Sequence, residues 1–170
     1  MISGPATRSL DPGLVLELIH ELGSAAGVTG LVGGQAIDIE AEANRFDPAT
    51  VESMHRQKTG ALILAALKVG ARAGGAKPAE LRRISDYGEA VGLAFQIADD
   101  LLDASVARGD ESARKEANKA TYPSVAGVLH AKERLGELTR QARRSLAPFG
   151  QRAEPLRAIA GYVAERALGA

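Results

Sequence analysis

The chain has 170 residues, enough for one domain with a buried core, and its 45% hydrophobic and 25% charged content is ordinary for a globular protein. Lys plus Arg equals Asp plus Glu at 21 each and aromatics make up only 4%. Neither a basic field nor base-stacking platforms therefore point to nucleic acid. Cysteine is absent, so no disulfide can form, and a reducing cytoplasm is the expected location.

The first residues, Met1-Ile2-Ser3-Gly4-Pro5, lack the basic and apolar regions of a signal peptide. The longest apolar run, 61–67, falls far below the ~20 residues of a membrane span, so no span is expected. Asp11-Pro12 supplies an N-cap and a first-turn proline for a first helix, in which Leu14, Leu18 and Leu22 recur every fourth residue. The stretch from Gly23 to Gly27 is predicted to break it. A second helix, 28–43, carries Gly33-Gly34-Gln35-Ala36-Ile37-Asp38. Its glycines follow no strand and have the wrong spacing for a dinucleotide fingerprint, so they read as close helix packing. Asp47-Pro48 caps a third helix that reaches about Ala73, where Gly74-Gly75 ends it. The second half of that helix is apolar nearly all round, which predicts a central buried helix. Pro78 opens a fourth helix to Asp103, with Gly88 and Gly92 one turn apart for close packing. Residues 104–120 are polar and charged and predict a mobile loop. Thr121-Tyr122-Pro123 starts a fifth helix to about Leu146, and Pro155 starts a short last one. No segment alternates like a strand, and no repeat appears. The fold class is an all-α antiparallel helical bundle, in which sites are built from side chains on facing helices.

The chemistry concentrates at Asp99-Asp100-Leu101-Leu102-Asp103, which closes the small-and-apolar run Val91-Gly92-Leu93-Ala94-Phe95-Gln96-Ile97-Ala98. Three carboxylates there are costly unless something positive sits among them. At about 100° per residue, Gln96, Asp99, Asp100 and Asp103 fall on one face. Such hard oxygens suit Mg²⁺, which binds through one or two carboxylates plus substrate phosphates. The motif reads as half of a magnesium–diphosphate site, although an acidic helix end facing water is the plainer account of the string alone. Lys58, in His55-Arg56-Gln57-Lys58-Thr59-Gly60, stands just before the apolar half of its helix, where an ammonium can serve a phosphate as a point charge. A merely solubilising lysine is the alternative. Gln35 and Asp38, spaced i,i+3 on one face, can support Lys58 or metal-bound water, or form a surface stripe. Arg114, Lys115 and Lys119 on the loop can close over a diphosphate, or simply be solvated. His20, His55 and His130 lack metal-ligand spacing.

Four segments in this order resemble the C-terminal half of the trans-isoprenyl diphosphate synthases. They are Gly30-Leu31-Val32-Gly33-Gly34-Gln35-Ala36-Ile37-Asp38, His55-Arg56-Gln57-Lys58-Thr59-Gly60-Ala61-Leu62, the run from Gly92 to Asp103, and Lys119-Ala120-Thr121-Tyr122-Pro123. The likeness covers roughly residues 12–165 and is nearest to the bacterial farnesyl and geranylgeranyl diphosphate synthases. It implies an isoprenoid-synthase bundle and a prenyltransferase that ionises an allylic diphosphate and joins it to isopentenyl diphosphate. Asp99, Asp100 and Asp103 would hold Mg²⁺ on that diphosphate, and Lys58 and Lys119 would contact it. Lys115, on the same loop, counts among the diphosphate-binding residues, its Lys115-Glu116 standing where the family often has Lys-Asp. Thr59 and Gln96 would lie beside the allylic cation. The family's first aspartate-rich motif and its isopentenyl-binding basic residues belong to an N-terminal half absent from this sequence. Residues 1–170 are accordingly expected to be the C-terminal portion of the domain, turning over only with an N-terminal half, as a homodimer or in association with that half. The loop is several residues short and lacks the usual Gly-Lys pair. The alternative is a non-catalytic partner or regulatory subunit of a full-length synthase.

Overall fold

The computed structural model describes residues 10–41, 46–106 and 120–169, and among these every regular element is helical. Helix α1 (Pro12–Ala26) starts where Asp11 accepts a bond from the Leu14 N–H at 3.0 Å. Helix α2 (Leu31–Ala41) follows after an extended Gly27. The next rod begins with α3 (Pro48–His55), whose cap Asp47 accepts from the Thr50 N–H at 2.7 Å. It then widens into a π-helical segment, Arg56–Gly60, and continues as α4 (Ala61–Ala73). Helix α5 (Pro78–Val106) is the long element. Helix α6 (Tyr122–Ala126) opens on a reciprocal capping box between Thr121 and Ser124. Helix α7 (Val128–Ser145), a 3₁₀ stretch (Ala147–Ala153) and α8 (Glu154–Leu168) complete the chain.

The core is organised around α5, whose Leu93 and Ile97 are fully buried and whose Tyr87, Ala90, Ala94 and Ala98 are nearly so. Helix α7 covers one side with Ala131, Leu135, Leu138 and Ala142, and α8 another with Ala160, Val163 and Ala167. The rod α3–π–α4 runs antiparallel to α5. A side chain on Gly92 would start 3.0 Å from the Gly60 Cα, and one on Gly88 would meet the Leu64 and Leu67 methyls at 3.0 Å. Glycine at these crossings lets the backbones approach where any Cβ would hold them apart.

Five expectations are corrected. Gly23 does not end α1, which runs on to Ala26. A helix tolerates one glycine at a cost of about 1 kcal/mol, and only the extended Gly27 stops it. The predicted third helix is interrupted by its π segment. Its apolar half is not the central buried helix. In α4 only Ala65 is buried, because α1 and α5 flank it and leave its other apolar positions partly exposed. The predicted fifth helix is split at Gly127, where φ is +87°, a region that favours glycine. The last helix is not short but has 15 residues. In addition, α5 continues through residues 104–106, and the rest of the predicted loop, with Arg114, Lys115 and Lys119, lies outside the described residues. By length and composition the stretch Pro12–Glu40 is apolar enough to cross a membrane. The extended Gly27 nevertheless divides it into α1 and α2.

Candidate functional site

Lys58 owes its position to two local features. The π segment Arg56–Gly60 gives the rod a wide turn, a feature frequent at functional sites. Helix α2 then nests against that turn through Gly34, where an added Cβ would lie 2.2 Å from the Lys58 backbone nitrogen and 2.6 Å from its Cα. Across this contact the Lys58 ammonium donates to Asp38 Oδ2 at 2.5 Å, and both side chains are about one-third exposed, at 34% and 35%. Gln35 is exposed on the same helix, and Thr59 beside Lys58 is half-buried.

The acidic end of α5 splits between two neighbours. Asp100 is turned inward: its Oδ2 lies 3.0 Å from His55 Nε2 and accepts the Tyr122 N–H at 2.7 Å. Asp99 is turned outward, with Oδ1 3.6 Å from an Arg166 guanidinium nitrogen on α8 and 48% of its side chain exposed. That guanidinium also sits 5.9 Å from the Phe95 ring and 6.0 Å from the Tyr162 ring, within cation–π range. Asp103 is exposed and Gln96 half-buried. The single acidic face expected from helical spacing thus engages partners on different elements, because residues 99 and 100 are about 100° apart round the helix.

The contacts from His55 to Asp100 and from Gly60 to Gly92 fix the register of the two antiparallel elements. Lys58 lies between them, and so stands within about one turn of the acidic end of α5 and level with the neighbourhood of Gln96. Lys58 and Asp99 each have a partner of their own, in Asp38 and Arg166. Among the described residues no three His, Cys, Asp or Glu side chains gather as a metal cage. Exposed hard oxygens on Asp99 and Asp103 still fit Mg²⁺ when phosphate and water supply the remaining ligands. A cavity of about 440 Å³ opens nearby, lined by Thr29, Arg56, Gln57, Gly60, Leu64 and Glu89 among others; Lys58, Gln96 and the aspartates do not line it.

Behind the acidic end lies a charged network with no sequence signal, since its members are far apart in the chain. Glu52 accepts from Arg134 Nε at 2.8 Å and Nη2 at 3.1 Å, and from the Tyr122 hydroxyl at 3.3 Å. Burial pushes the Glu52 carboxyl up, but the Arg134 bond and charge, with Arg56, outweigh it and leave the group below its ordinary value. The same bond holds Arg134 above its ordinary range. Burial, then the Glu52 charge, raises Tyr122. Because the folded-state value of Glu52 lies below the unfolded one, its stabilisation is complete above about pH 4.3 and is lost as pH falls through the folded value. Glu52→Gln is expected to cost about 1.5–3 kcal/mol at pH 7. Thermal melts from pH 7 to 3 should show the gap to the parent closing in acid, and a constant gap would contradict this assignment.

No local pattern in the sequence marks His55, Glu52, Arg134 or Arg166 as site residues. Only the position of His55 three residues before Lys58 offered a hint.

The sequence profile described as polyprenyl synthetase matches residues 14–147. The chain is 39% identical to a dimethylallyltranstransferase of Fischerella ambigua, covering 94% of this chain and 48% of that protein. It is 37% identical to the farnesyl diphosphate synthase of Escherichia coli, over 89% of this chain and 53% of that one. The crystal structure of an FPP/GFPP synthase from Zymomonas mobilis superposes with a TM-score of 0.83 at 39% identity, covering 96% of this chain and 54% of that chain. The chain thus spans about half the length of the curated relatives it matches. The match in fold makes the bundle one of the isoprenyl diphosphate synthase type. By profile, sequence and fold together, the chain belongs to the polyprenyl synthetase family.

Proposed function

We propose that residues 1–170 form the C-terminal portion of a trans-prenyltransferase, which binds an allylic diphosphate through Mg²⁺ for head-to-tail condensation with isopentenyl diphosphate. The observation that supports this reading is the antiparallel register, in which the Lys58 backbone is within about one turn of the level of Asp99. In it, Asp99 and Asp103 offer hard oxygens to the metal. Lys58, steadied by Asp38, places a point charge on the diphosphate. When bound, Mg²⁺ would offset the negative charge that grows on the departing diphosphate. Gln96 and Thr59 turn polar groups toward the allylic carbon, and the apolar wall of α5 keeps water from it. Lys115 and Lys119, outside the described residues, add positive charge to the diphosphate in this reading. The exposed Leu16 and Ile19 of α1 and Val32 and Ile39 of α2 suit association with a second copy or with an N-terminal half. A cytoplasmic location fits a chain without cysteine.

Titration calorimetry with a prenyl diphosphate tests the site. Heat of binding should require Mg²⁺ and should vanish in Asp99→Ala. Binding that ignores the metal, or none at all, would refute the assignment.

A further inference from the structure

We propose that His55 is a positioning residue: acting through Asp100, it fixes the rotation of the acidic end of α5 so that Asp99 and Asp103, and not Asp100, face the ligand. This rests on the functional reading above.

The bonding of Asp100 is the first ground. A carboxylate oxygen has two lone pairs, and Oδ2 receives two donors, His55 Nε2 at 3.0 Å and the Tyr122 N–H at 2.7 Å. The side chains of His55 and Asp100 are only 4% and 14% exposed, against 48% for Asp99. A cation reaching Oδ2 would have to displace a bond already made inside the protein.

The imidazole itself is the second ground. Its Nδ1 is buried and has no hydrogen-bond partner among the described residues. With the proton on Nε2, the ring donates to the carboxylate and Nδ1 needs no acceptor. A leucine would fill this volume without leaving a buried polar atom, so the site gains from histidine chiefly the Nε2–H bond.

The third ground is angular. His55 ends α3 immediately before the π segment that carries Lys58. Tyr122 begins α6, and its hydroxyl bonds Glu52, which is in turn held by Arg134 of α7. Helices α3 and α6 therefore pin α5 at residue 100, and α7 braces both. At about 100° per residue, Asp99 lies about 100° to one side of Asp100 and Asp103 about 60° to the same side. Pinning Asp100 inward thus presents the other two within about 40° of each other.

The test compares His55→Gln, whose amide nitrogen reaches the place of Nε2, with His55→Leu, which fills the volume without a donor. Affinity for inorganic diphosphate with Mg²⁺ is measured by calorimetry well below each melting temperature, alongside hydrogen exchange of the Tyr122 amide. His55→Gln should stay close to the parent, and His55→Leu should weaken binding by about 10–100-fold. Asp100→Asn, which keeps an acceptor oxygen, should hold most of the affinity that Asp99→Asn loses. The proposal is overturned if Asp100→Asn falls as far as Asp99→Asn, or if the two His55 variants behave alike. Should the parent show no magnesium-dependent affinity, the functional reading fails, and the exchange arm decides the clasp. Faster Tyr122 exchange in His55→Leu than in His55→Gln supports it, and equal exchange overturns it.

Discussion

Lys58→Met, assayed in the chain combined with the N-terminal half of a polyprenyl synthetase relative, is expected to slow diphosphate release from an allylic substrate by about 10²–10³-fold. Methionine keeps the length and apolar packing of the stem while removing the charge, so the loss isolates the ammonium. Little stability should go with it. The bond to Asp38 is one-third exposed on each side, and pairs of that kind contribute about 0–1 kcal/mol. The melting temperature should therefore move by no more than about 4 °C. Turnover equal to the parent, or a loss of turnover explained by unfolding, would remove Lys58 from the site.

Gly34→Ala is expected to do the reverse, acting first on the fold. A Cβ on residue 34 would start 2.2 Å from the Lys58 nitrogen and 2.8 Å from its Cβ. Those atoms belong to the backbone and stem of the π segment, not to the free end of a flexible side chain. Helix α2 must move away from the rod, at about 3 kcal/mol by the usual cost of overpacking. For a chain of this size that corresponds to roughly 6–12 °C in the melting temperature. The shift also draws Asp38 from Lys58, so diphosphate affinity should fall in the protein that remains folded. A melt within 2 °C of the parent, by the same scale, would mean that the two elements do not touch there as described.

The sequence was most readable where the signals are local. Asp11, Asp47 and Thr121 cap helices α1, α3 and α6, each with a proline in the first turn. The spacing of Gly88 and Gly92 marks the crossing of α4 and α5, because a missing Cβ is visible in one chain. Gly23 and Gly127 show the limit of that reasoning. Both are glycines, yet Gly23 lies inside a helix and Gly127 breaks one, and the difference is a backbone angle. The burial of α4 is not legible in its sequence, because apolar composition does not say how many neighbours a helix has. At the site, the acidic motif and Lys58 could be singled out by type and spacing. The bond between His55 and Asp100 joins residues 45 apart, and that between Glu52 and Arg134 residues 82 apart. Such pairs depend on tertiary register, which no local pattern encodes.

The wide turn at Arg56–Gly60 makes residue count matter as much as residue identity. A π turn takes up one residue more than an α turn, so every side chain beyond it is offset by about 100° from the course of an unbroken helix. Nine residues of unbroken helix would set His55 and Leu64 on opposite sides of the rod, and the extra residue taken up here brings both round to face α5. Loss of a single codon inside this pentapeptide would let the rod close as an unbroken α-helix with the imidazole and the aliphatic contact in their present phases, so what disappears is the wide turn beneath Lys58. Many substitutions can leave that bulge standing, whereas a frame-preserving deletion of one residue erases it and spares the packing on either side.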